Sequence, residues 1–235
     1  MSFDSISTQN HYLFNHFKQP PTLMATLLKC LPILCLVCFI EPTKKHHYHD
    51  PYRRRILLGL IMSALGDAFL VWDSSSVNFL YAGVVSFGLA HVFYIWAFVR
   101  SCSAEYVSFA KGAPFVCACF LTLMLFWQFL DGAMLIFGST YIIIICCMAW
   151  TAFHFAVSAP ADIEDDNTTE NGSVTTHSND GYRLCAFVGA ILFMISDLMV
   201  GLDMYHVIKV PAVFVMSTYY ASQACIAMSV NHQIF

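Results

Sequence analysis

Seven long apolar stretches constrain this chain more than anything else in its sequence. They run over residues 22–40, 56–73, 79–99, 113–130, 133–157, 184–202 and 211–230. Each is close to the roughly 20 residues an α-helix needs to cross the hydrocarbon of a bilayer. Such spans are helical, because lipid offers no partner for backbone N–H and C=O groups. Composition agrees: 58% of residues are hydrophobic and 11% are charged, against about 45–50% and 25% in soluble domains. A surface facing water cannot be covered from that supply. The expected fold is an all-α integral membrane protein, a multi-pass bundle of about seven transmembrane helices forming one domain over 22–230.

The remaining polar residues set the orientation. Lys44, Lys45, Arg53, Arg54 and Arg55 lie between spans one and two, Arg100 and Lys111 follow span three, and Arg183 precedes span six. The opposite side has Lys209 in its loops and Lys18 in the N-terminal tail. The positive-inside rule makes the first group cytosolic, the N-terminus lumenal or external and the C-terminus cytosolic. Residues 1–21 end on Pro20-Pro21 and read as a tail or degenerate first segment, without the pattern of a removable signal peptide. Residues 231–235 form a C-terminal tail. The acidic stretch 158–183 reads as a disordered loop, and its sequons at Asn167 and Asn171 fall on the cytosolic side of this topology.

Nine of the ten cysteines sit in apolar stretches, as small hydrophobes do, and none belongs to a zinc-type Cys-x-x-Cys/His set. The cluster His46, His47, Tyr48, His49 reads as solvated loop. A net charge of −4, concentrated in a few loops, implies no nucleic-acid partner. No metal or other cofactor is expected.

Three charges stand clear of the span ends: Lys29, Asp67 and Asp197. A charge at the bilayer centre costs at least about 2.5–3.5 kcal/mol, so each is a functional candidate. Counted from the cytosolic ends of their spans, all three lie about 18–20 Å deep at 1.5 Å per residue. Ser217 falls at the same level, and His91, about 12 Å deep by the same rise, is expected to line the cytosolic mouth of a shared cavity. Gly59, Ser63 and Asp67 share one helical face; Ser217, Tyr220, Gln223 and Ala227 share another. The plainer alternatives are a snorkelling Lys29, a satisfied core His91, and a structural ion pair between Lys29 and either aspartate.

The runs LLKCLPILCL (27–36), GLIMSALGDAFLVW (59–72), GLAHVFY (88–94), FMISDLMVGLD (193–203) and VPAVFVMSTYYASQ (210–223) closely resemble the YhhN-like lysoplasmalogenase family of transmembrane proteins. The likeness extends from about residue 23 to 230 and is strongest to the animal members. It implies an ether hydrolase that cleaves the vinyl ether of lysoplasmalogens, giving a fatty aldehyde and glycerophosphoethanolamine or glycerophosphocholine. The implied substrates are lysoplasmenylethanolamine and lysoplasmenylcholine, and the implied location is the endoplasmic reticulum or a related membrane. The family is usually drawn with eight helices; here no convincing span precedes Lys29.

Enol ether hydrolysis requires a proton donor to carbon and an anion facing the resulting oxocarbenium ion. Two carboxylates can divide those tasks if their surroundings differ. Asp67 and Asp197 are therefore the candidate catalytic residues, with either one as the acid. Lys29, Ser63, His91, Ser217, Tyr220 and Gln223 are candidate substrate-binding or supporting residues. The phosphate is expected at the cytosolic mouth near Arg53, Arg54, Arg55 or Arg100. Competing readings are a metal-dependent membrane lipid hydrolase, which would gather His154 and His206 with His91, and a non-enzymatic transporter or receptor. A receptor would need an Asp-Arg-Tyr sequence after span three or Asn-Pro-x-x-Tyr in span seven, and neither occurs.

Overall fold

A computed structural model of the chain describes residues 22–40, 50–102, 109–158 and 180–230. The tails 1–21 and 231–235, the His46–His49 cluster and the sequon-bearing stretch 159–179 lie outside the described residues. Among the described residues there are seven α-helices and no strand: α1 (Leu23–Ile40), α2 (Pro51–Val71), α3 (Val77–Arg100), α4 (Ala113–Phe126), α5 (Gly132–Val157), α6 (Asp180–Met204) and α7 (Ala212–Met228). The expected multi-pass helical membrane fold is the one observed. Helices α1, α3, α5 and α6 are long and apolar enough to cross a bilayer, while α4 and α7 are shorter apolar helices.

Three boundaries differ from the sequence expectation. Helix α2 begins at Pro51 rather than near residue 56, because Asp50 caps it, accepting from the N–H of Tyr52 at 2.9 Å, and proline suits the first helical turn. Arg53, Arg54 and Arg55 are thus helical. Helix α4 stops at Phe126, and the chain tightens into a 3₁₀ turn over Trp127–Phe129. Helix α6 starts at Asp180, inside the stretch 158–183 expected to be loop.

Helices α1, α2, α3, α5, α6 and α7 pack in that order around a ring, α7 returning to α1, and α4 packs against α5. Leu23, Met24, Val116, Leu121, Ile136, Val213 and Phe214 project outward, more than half exposed. In lipid that arrangement carries no hydrophobic penalty. Arg55, Arg100 and Tyr182 line one recess, which gathers the basic ends of α2, α3 and α6 on one side of the bundle. Trp96 and Trp150 lie toward that side, Trp72 and Trp127 toward the other, as aromatic residues do at the two interfaces.

Small residues permit the closest approaches. A Cβ on Gly59 would run into Cε1 of Tyr94, and one on Gly189 would sit 2.8 Å from the backbone oxygen of Ser222. Gly59→Leu is expected to push Tyr94 out of place and destabilise the bundle by about 1–3 kcal/mol, the usual cost of overpacking. Thermal unfolding in detergent measures this directly; an unchanged midpoint would show that the α2–α3 contact is loose.

Candidate active site

The level predicted by counting residues is a real layer, and its members are paired. Lys29 Nζ of α1 lies 3.5 Å from Oδ1 of Asp67 on α2. Asp67 is only 2% exposed, whereas the Lys29 side chain is 21% exposed. Tyr219 of α7 donates to Asp67 Oδ2 at 2.7 Å. Asp67 thus has a cation on one oxygen and a phenol on the other.

Asp197 on α6 has different company. Tyr141 of α5 donates to its Oδ2, and His91 Nε2 of α3 is 3.0 Å from the Tyr141 oxygen and 3.6 Å from Asp197 Oδ2. A phenol has a single proton, so when it is given to Asp197 the imidazole must donate to the Tyr141 oxygen from Nε2. His91 Nδ1 is buried with no hydrogen-bond partner among the described residues. His91, Tyr141 and Asp197 form a continuous hydrogen-bonded chain, ending on a carboxyl that is 21% exposed.

Both carboxyl groups open onto one cavity of about 420 Å³. Apart from Lys29, Asp67, Asp197 and a few hydroxyls, its walls are apolar, with Leu70, Phe87, Phe126, Ile145 and Met194 among them. It runs from the level of Ile145 and Cys146 to Leu130 and Tyr205, at the end opposite the arginines. A cavity in this size range with a few convergent polar groups suits a small-molecule or single-chain lipid ligand.

Several sequence expectations need correction. Ser217 has the right depth but lies on the exposed face of α7; the buried face is Val215, Tyr219, Ser222, Gln223, Ile226 and Ala227. His91 does not line a cytosolic mouth: it is fully buried behind Tyr141, stacked edge-on against Phe193 at 4.6 Å. Ser63 and Gln223 are brought together, but below the cavity. Gln223 Nε2 donates to Ser63 Oγ at 3.0 Å, and its Oε1 accepts from Tyr94 at 2.8 Å, all three fully buried. They form a polar floor between the carboxylates and the basic end. Tyr220 donates to the backbone oxygen of Lys29 at 3.0 Å, fixing α1 to α7 rather than contacting a carboxylate.

Tyr141 and Tyr219 were not among the expected site residues, although each binds one of the two carboxyl groups. Tyr219 stands in the Ser-Thr-Tyr-Tyr run beside Tyr220; Tyr141 ends the same Ser-Thr-Tyr triplet after Ser139 and Thr140, directly before four isoleucines, and that shared triplet is the signal that could have found it. His154 and His206 lie at opposite ends of the bundle, the first bonded to Ser158 after α5 and the second in the turn after α6, so neither approaches His91.

A ring of membrane helices enclosing two acids, each held by a tyrosine beside an apolar cavity, defines an integral membrane protein with a buried polar site. The chain belongs to the YhhN family, whose pattern it matches over residues 24–230. It is 31% identical over 211 residues to lysoplasmalogenase TMEM86A of Homo sapiens, covering 89% of this chain and 79% of that protein. Identity to the TMEM86A of Bos taurus is 30% with the same coverage. Lysoplasmalogenase TMEM86B of Homo sapiens is 28% identical over 210 residues, 87% of this chain and 74% of that protein. No solved structure matches.

Proposed function

We propose that this protein is a lysoplasmalogenase, hydrolysing the vinyl ether of lysoplasmenylethanolamine or lysoplasmenylcholine with Asp67 and Asp197 as its catalytic pair, in the endoplasmic reticulum. The observation that carries the reading is the apolar cavity onto which two differently paired carboxyl groups open. The relatives' names support the substrate class. The compartment rests on the family resemblance.

The environments divide the roles. Asp67, paired with Lys29 and bonded by Tyr219, is the carboxyl assigned to face the developing cation. Asp197 is the acid: its proton passes to the vinyl carbon β to the ether oxygen, giving an oxocarbenium ion. Water adds to the cationic carbon and returns a proton to Asp197. The hemiacetal then collapses to the fatty aldehyde and the free glycerol hydroxyl, with one water consumed. Tyr141 is a positioning residue that orients the Asp197 carboxyl and links it to His91.

Incubation of the purified protein with lysoplasmenylethanolamine and lysoplasmenylcholine tests the reading; verified folded protein that releases no aldehyde from either would end it. Tyr141→Phe removes the bond to Asp197 but keeps the ring. Its kcat is expected to fall by about tenfold or more with KM little changed, because the lost interaction orients the acid and not the lipid. A rise in KM with kcat intact would instead make Tyr141 a binding residue.

A further inference from the structure

We infer that Lys29 holds the phosphate of the lysolipid, so that the substrate lies with its head group toward the end of the bundle opposite the arginines. This rests on the lysoplasmalogenase reading. In a lysoplasmalogen five bonds separate the ether oxygen from phosphorus, roughly 6 Å at full extension by standard bond lengths. Arg55 precedes Asp67 by twelve residues on the same helix, about 18 Å at 1.5 Å per residue. Arg53 and Arg54 are farther still, and Arg100 lines the recess that Arg55 lines. The buried Tyr94–Gln223–Ser63 floor lies between. A phosphate among the arginines would therefore leave the vinyl ether far from both acids, which excludes the cytosolic-mouth placement expected from the sequence.

Among the described residues Lys29 is the one cationic side chain lining the cavity. Its ammonium group has three donors, and one contact, to Asp67 at 3.5 Å, leaves donors for a second anion. Its one-fifth exposure gives that anion access. The hydrogen bond from Tyr220 to the Lys29 carbonyl holds its backbone in place. Lys29 is six residues from the start of α1, about 9 Å from the non-basic end, and the apolar wall at Ile145 and Cys146 continues inward from the acids. With Lys29 and the acids in one layer, the phosphate at Lys29 and the vinyl ether lie side by side across that layer, and the chain follows the apolar wall toward Ile145 and Cys146.

The test compares a lysoplasmalogen with the matched 1-alkenylglycerol, which has the same vinyl ether and no phosphate. The native protein is expected to prefer the phosphate-bearing substrate by about tenfold or more in kcat/KM, the scale of a charge-assisted contact. Lys29→Met should bring that ratio close to one, and Lys29→Arg should retain it. Loss of the Asp67 ion pair slows both substrates together and cancels in the ratio. Arg55→Gln combined with Arg100→Gln, which leaves the cavity intact, should keep the native ratio. The inference is overturned if Lys29→Met keeps the preference, or if the double arginine variant abolishes it. If the native protein releases aldehyde from neither substrate, the functional reading itself has failed.

Discussion

Asp197→Asn is expected to reduce aldehyde release by on the order of 10²–10⁴-fold, the range that a positioned proton donor supplies. The amide keeps the size of the side chain and can still accept from Tyr141, so the bundle should unfold near the native temperature. It has no acidic proton to transfer to carbon. Asp67→Asn should lose activity on the same scale for another reason: the cation formed on protonation no longer faces an anion. It should also cost more stability, because it strands the Lys29 ammonium group beside a nearly buried neutral side chain. Asp203→Asn serves as control, since Asp203 lies at the end of α6, where it accepts from the N–H of Val210 outside the cavity. Near-native rates in both Asp67→Asn and Asp197→Asn would show that the carboxyl pair is not the catalytic machinery.

Selectivity for the vinyl ether over the ester is the second large expected effect. With matched lysolipids, fatty-acid release from the acyl form should be at least about a hundredfold slower than aldehyde release from the alkenyl form, because the ester gains nothing from the transition state this site favours. Ester cleavage by covalent catalysis would need an activated nucleophile. The cavity serine, Ser196, instead donates to the Val215 carbonyl at 3.2 Å, and Ser222 donates to that of Tyr219 at 2.6 Å. The nearest histidine bonds Tyr141. No Ser–His pair is thereby assembled among the described residues. Plasmalogens that carry an acyl chain beside the alkenyl chain should also be poor substrates: at about 420 Å³ the cavity is at the small end of ligand sites, about 300–1,000 Å³, and suits one chain rather than two. Comparable fatty-acid and aldehyde release would reassign the protein as a lysophospholipase.

Depth was legible in the sequence and rotation was not. The helical rise is constant, so counting from span ends put Lys29, Asp67 and Asp197 at one level, and the cavity lined by all three is at that level. Azimuth and neighbours depend on packing. In lipid an outward face is as apolar as an inward one, so spans such as α7 carry little amphipathic signal. The face expected to hold Ser217, Tyr220, Gln223 and Ala227 is therefore about one residue out of phase with the buried one.

What the sequence by itself determined is what local chemistry dictates: a helical membrane bundle, its basic end, the level of its buried charges and its family. Only the tertiary structure decided that Lys29 pairs with Asp67 and not Asp197, that Tyr141 and Tyr219 hold the two acids, and that the cavity leads away from the arginines. These are contacts between residues up to 152 positions apart. They depend on how six helices rotate and close into a ring, which no single span encodes.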